Sequence, residues 1–145
     1  MAFVPDDFAV PGELVTGAFR LVRLGPEHNE ADYRAWTSSI EHIRSTPGFP
    51  WGSWPRAGMT LAENLADLRQ HAADFAARRG FTYTVLDPGS GEVIGCVYIY
   101  PGEEAAGVRS WVRADRAGLD VPLYDAVRGW LRSDWPFTAV TYAPR

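Results

Sequence analysis

The alternation of apolar and polar positions changes period several times along the chain, and each change marks an element. Phe19 to Leu24 sets Phe19, Leu21 and Arg23 against Arg20, Val22 and Leu24, the two-residue period of a strand, stopped by Gly25 and Pro26. From about Glu27 to Ser45 the residues Tyr33, Trp36, Ile40 and Ile43 recur at helical spacing behind an acidic start, which predicts a helix closed by Pro47. Thr60 and Glu63 form a capping box. Leu61, Leu65, Leu68, Ala72 and Phe75 follow it on one helical face, with Gly80 as the expected stop. Phe81 to Leu86 and Val93 to Tyr100 flank the turn-forming run DPGSGE and read as a hairpin. Both strands are apolar on both sides, as suits the middle of a covered sheet.

The stretch Gly107 to Leu131 carries a strand directly into a helix. Val108, Ser110 and Val112 lie on one side of the strand and Arg109 and Trp111 on the other. After Asp115 the period becomes helical, with Leu123, Val127, Trp130 and Leu131 on one face, Pro122 in the first turn and Asp120 or Val121 at the cap. Trp135 and Pro136 break that helix, and Phe137 to Tyr142 predicts a last strand. Residues 1–17, with prolines and glycines and no clear period, read as an extended arm on the surface. The expected order is β-α-α-β-β-β-α-β, a single α+β domain with a mixed, mostly antiparallel sheet. A strand that feeds a helix aims the first unpartnered helical N–H groups into the junction, where an anion is favoured.

Composition narrows the functional classes. The chain of 145 residues has a net charge of -4, and all of its basic residues are arginines. The acidic balance argues against a nucleic-acid partner, and no run is long or apolar enough for a bilayer. One cysteine, Cys96, excludes an intrachain disulfide and reads as a small core residue, so a cytoplasmic setting is expected. His28, His42 and His71 read as solvated or structural side chains, and no metal site is expected. The loop from Pro47 to Gly58 carries Phe49, Trp51 and Trp54, either as a plug over the core or as the wall of an acceptor pocket.

Four stretches together resemble the GNAT superfamily of acyl-CoA-dependent N-acyltransferases, from about Leu14 to Tyr142. They are FRLVRLGPEHNEADYRAW, the hairpin FTYTVLDPGSGEVIGCVYIYP, AGVRSWVRADRAG, and LDVPLYDAVRGWL in the place of the helix behind the pyrophosphate loop. The resemblance implies acetyl-CoA as donor and a small-molecule amine as acceptor. It implies cofactor contacts at Val112, Arg113, Arg116, Ala117 and Gly118, an acceptor wall of Trp51, Trp54 and Tyr98, and proton transfer by Glu104 and Tyr142. Three departures stand beside it. The loop Arg113 to Gly118 lacks the family's early glycines and precedes Asp120, which at the helix cap would take the N–H groups that a pyrophosphate needs. Gly107 replaces a common glutamate, and a shortened C-terminus is expected in place of the family's elements after the fifth strand. The competing reading is a catalytically degenerate GNAT-fold module that binds a ligand or protein partner, or a homodimer paired through the edge of the last strand.

Overall fold

The computed structural model describes residues 2–49 and 53–145, so Trp51 lies outside the described residues. Among them, strands β1 (Glu13–Val15), β2 (Arg20–Arg23), β3 (Phe81–Leu86), β4 (Val93–Pro101), β5 (Ala106–Val112) and β6 (Val140–Tyr142) form one sheet in chain order. Every neighbouring pair is antiparallel except β5 and β6. That parallel pair needs a crossover, and helix α4 (Asp120–Asp134) supplies it. The mixed, mostly antiparallel α+β architecture is the expected one.

Two apolar clusters sit on opposite faces of the sheet. Leu123, Val127, Trp130 and Leu131 of α4 pack with Leu21, Tyr83, Val85, Val97, Val108 and Val112. On the other face, Ala35 and Trp36 of α1 (Asn29–Thr37), Ile43 of α2 (Ile40–Arg44) and Leu68 of α3 (Leu61–Ala76) pack with Cys96 and Trp111. Strand β5 divides its side chains between the faces as its two-residue period predicts. Trp111 is fully buried, and a tryptophan buries roughly 150–250 Å² of side chain, so at about 25 cal/mol per Å² it contributes about 4–6 kcal/mol of apolar transfer.

Local signals hold where they are local. Thr60 Oγ1 accepts from the Glu63 N–H at 3.1 Å and Glu63 Oε1 from the Thr60 N–H at 2.9 Å, a reciprocal capping box that starts α3. The stop differs from expectation: α3 ends at Ala76, and Arg78 takes the left-handed conformation with φ of 60°. Gly80 serves another purpose, since a Cβ there would overlap the Tyr100 ring.

One further expectation is refined and another corrected. The N-terminal arm is extended and mostly exposed, but it is also tied into the fold. It contributes β1, buries Val4 and packs Phe3 and Phe8 on the α4-side cluster, while Arg78 donates to Pro5 O at 2.6 Å and Tyr83 to Pro11 O at 2.6 Å. The helix expected over Glu27 to Ser45 is broken at Ser38 and Ser39 into α1 and α2, behind a 3-10 turn at Pro26–His28. Serines compete for backbone partners and weaken a helix interior. Here Ser39 Oγ accepts the Ala114 N–H at 2.8 Å, tying the break to the end of β5.

Candidate functional site

A cleft of about 410 Å³ opens between α1, α3 and the exposed ends of β4 and β5, within the size range of small-molecule sites. Asp32 from α1, Asn64, Asp67, His71 and Asp74 from α3, Tyr98 and Tyr100 from β4, Arg109 from β5 and Trp54 from the loop converge on it. On α3, Asp67 and Asp74 stand four residues before and three after His71, so helical spacing stacks all three on one face.

A polar network fixes the α1 wall. Asn64 Nδ2 donates to Asn29 Oδ1 at 2.9 Å and to Asp32 Oδ2 at 3.1 Å, while Asn64 Oδ1 accepts from Trp36 Nε1 at 3.0 Å. Asp32 is buried, and burial pushes its carboxyl up to about 6, against a smaller lowering by the Asn64 hydrogen bond. It therefore changes charge in the mildly acidic range.

The α3 wall holds a neutral imidazole. Burial lowers the His71 pKa, although Asp67 and Asp74 pull it back up. Tyr100 donates to Asp74 Oδ2 at 2.9 Å, so its oxygen accepts from His71 Nδ1 at 2.8 Å, and that assignment leaves the Nε2 lone pair uncommitted. Burial alone would raise the Asp74 carboxyl, but hydrogen bonds from Tyr100, Gln70 and Arg79 together hold it below its ordinary value. His71, expected to be solvated or structural, thus lines the cleft. The sequence signal for it was the pair of carboxylates at i−4 and i+3.

Aromatic rings close the cleft. Trp54 packs 5.4 Å from Trp36, 6.3 Å from Tyr98 and 6.1 Å from Trp111, so it is plug and wall together. The Tyr98 hydroxyl accepts from Trp111 Nε1 at 2.9 Å, and burial keeps its proton on by raising its pKa well above the ordinary phenol range. The Arg109 guanidinium lies 4.9 Å over the Phe49 ring and 5.6 Å over Tyr98.

A second feature lies where β5 and β6 part. Their pairing covers only Ala106 to Val108 against Val140 to Tyr142, while β5 runs on to Val112. The Arg145 side chain, 2% exposed, fills the crevice. Its Nε donates to Asp120 Oδ2 at 2.7 Å, Nη2 to Ser110 O at 2.8 Å and Ser110 Oγ at 3.2 Å, and Nη1 to Ala143 O at 2.8 Å and Pro47 O at 3.4 Å. Tyr142, expected as a proton donor, is buried beside it and hydrogen-bonded to Ser110 Oγ.

The remaining sequence-derived residues fall outside the cleft. Glu104 sits in the exposed turn between β4 and β5. Val112 is buried under α4. Residues Ala114 to Leu119, including Arg116, Ala117 and Gly118, form a 3-10 turn rather than an open loop. Arg113 is held by Asp115 at 2.9 and 3.0 Å and donates to Val93 O at 3.2 Å, and Arg116 lies 3.8 to 4.0 Å from Asp87, Glu92 and Asp115. The expectation that Asp120 caps α4 is corrected: Leu119 is the N-cap residue, no side chain among the described residues caps the helix, and Asp120 pairs with Arg145.

These residues do not fit a coenzyme A pyrophosphate. Both arginines are engaged by carboxylates at the β3–β4 turn and the corner, and Asp120 places another carboxylate at the start of α4, where its end charge would otherwise attract an anion. Among the described residues no cluster of histidine, cysteine or carboxylate has metal-binding geometry. No described helix is long and apolar enough to cross a membrane.

No sequence-family model matches the chain, and comparison with curated proteins gives no match. Solved structures do match. The microcin C7 self-immunity acetyltransferase MccE, determined with acetyl-CoA and AMP, aligns with a TM-score of 0.66 at 15% identity over 85% of this chain and 66% of its own. A ribosomal-protein-S5-alanine acetyltransferase from Vibrio fischeri gives 0.65 at 12% identity over 83% and 68%. RimL, a ribosomal L7/L12 α-N-protein acetyltransferase determined with coenzyme A, gives 0.65 at 14% identity over 83% and 68%. The chain spans about two thirds of the length of these structures. The fold is thus shared at low identity, and the chain has the fold of the GNAT acetyltransferases.

Proposed function

We propose that the chain captures a small organic amine, as its ammonium ion, in the cleft between α1 and α3. The convergence of Asp32, Asp67 and Asp74 with the rings of Trp54, Tyr98 and Tyr100 carries this reading. Carboxylates and the negative faces of aromatic rings both attract a cation, and partial burial strengthens both. His71, neutral and with Nε2 uncommitted, is placed to take a proton from the ammonium. A bound cation favours the ionised form of Asp32, so binding strengthens as pH rises through about 6.

Transfer of an acetyl group to that amine is the second reading. The fold shared with three acetyltransferases favours it, as does Pro47, whose carbonyl reaches Arg145 in the β5–β6 crevice while Gly48 beside it packs on Arg109 of the cleft. The donor side does not fit coenzyme A as its residues stand, so the acceptor cleft is the part to test first. Calorimetric titration with tyramine and with 4-ethylphenol, which lacks the ammonium group, separates cation capture from apolar binding. Tyramine binding that is lost in Asp32→Asn and absent for 4-ethylphenol supports the proposal. Equal binding of the two probes, or none, overturns it.

A further inference from the structure

Parallel strands joined by a helix leave a crevice beyond their carboxyl ends, with the helix N-terminus at its edge, and such crevices are where ligands bind in open sheets. The β5–α4–β6 unit has that crevice, and the chain fills it from within. Arg145 is received there as a ligand would be. It meets one carboxylate, three backbone carbonyls and one hydroxyl, and its guanidinium lies 5.5 Å from the Tyr124 ring centre and 5.6 Å from that of Tyr142. Asp120 Oδ1 is buried beside it without a hydrogen-bond partner among the described residues, so the pocket offers more hydrogen-bonding capacity than Arg145 uses.

We infer that Arg145 is an internal stopper: its side chain, latched to Asp120, closes the β5–β6 crevice against a thioester donor, and removing the latch opens it. The Ser110 carbonyl taken by Arg145 Nη2 is the group that an amide-bearing chain entering along β5 would bond. Arg145 Nη1 also reaches the Pro47 carbonyl at 3.4 Å, next to Gly48, where a Cβ would lie 3.5 Å from the Arg109 side chain of the amine cleft. Because Asp87, Glu92 and Asp115 engage the arginines at the corner, an opened crevice suits a neutral pantetheine thioester better than one carrying a pyrophosphate.

The inference is independent of amine capture, since neither Arg145 nor Asp120 lines that cleft. The test titrates S-acetylpantetheine and acetyl-CoA into wild type, Arg145→Ala and the double variant Asp120→Ala with Arg145→Ala, each shown to be folded by a cooperative melt. The double variant guards against misfolding, because it leaves no buried charge without its partner. Saturable binding of S-acetylpantetheine to the double variant that is absent from wild type, and its suppression in Arg145→Ala by methylguanidinium, supports the stopper. Wild type that binds either thioester as tightly as the double variant, or a folded double variant that binds neither, overturns it. Tyramine titrated into the same proteins reports separately on the cleft.

Discussion

Asp32→Asn gives opposite signs for stability and binding, which makes it the sharpest test of the cleft. Burial raises the Asp32 carboxyl from 3.8 to about 6, so between those values the folded chain holds a proton that the unfolded chain has lost. Stability contributed at this site is therefore greatest below about 3.8, declines as pH rises toward about 6, and stays low above it. A shift of about two units corresponds to about 3 kcal/mol, which is an upper figure for the cost of holding the buried carboxylate ionised at pH 8. Asparagine keeps an oxygen that can accept from Asn64 Nδ2 and removes the charge, so the variant should gain up to that amount at pH 8 and nothing at pH 3. For a domain of this size the gain is roughly 6–12 °C in melting temperature. The assay is the difference between wild-type and variant urea midpoints from pH 3 to pH 8, which cancels carboxylates common to both. The same variant should lose tyramine. A stability difference that does not vary with pH, or a variant less stable at pH 8 than wild type, refutes the reasoning about Asp32.

Two stability predictions follow from other contacts. Arg145→Ala leaves the half-buried Asp120 carboxylate without its partner and should destabilise by about 3–5 kcal/mol, whereas the double variant with Asp120→Ala should recover much of that loss; equal midpoints in denaturant melts of the two variants would contradict it. Thr60→Ala removes one half of the capping box and should cost about 1 kcal/mol, read as a lower urea midpoint with an unchanged slope; a neutral result would mean that Glu63 and its ion pair with Arg56 hold the start of α3 alone.

What the sequence determined by itself was whatever depends on neighbours along the chain. The Thr60–Glu63 cap, the β3–β4 hairpin, the divided faces of β5 and the buried stripe of α4 are set by periods of two and 3.6 residues and by groups three residues apart, so they are legible without a fold. The general architecture followed from their order. Tertiary structure alone decided the rest, because it depends on pairs distant in sequence whose meeting no local pattern records. Val4 is core because the arm docks on α4's side of the sheet, and α1 breaks where Ser39 must reach Ala114. His71 is held toward its neutral form because α3 packs it against β4, where burial disfavours its charge, and Tyr100, twenty-nine positions away, meets its Nδ1 while donating to Asp74. Glu104, just upstream of the motif position that Gly107 occupies, is left in an exposed turn. Asp120, a natural cap by residue type, instead turns toward Arg145, because a buried guanidinium with a carboxylate partner outweighs one more hydrogen bond to a helix end that a 3-10 turn already continues into.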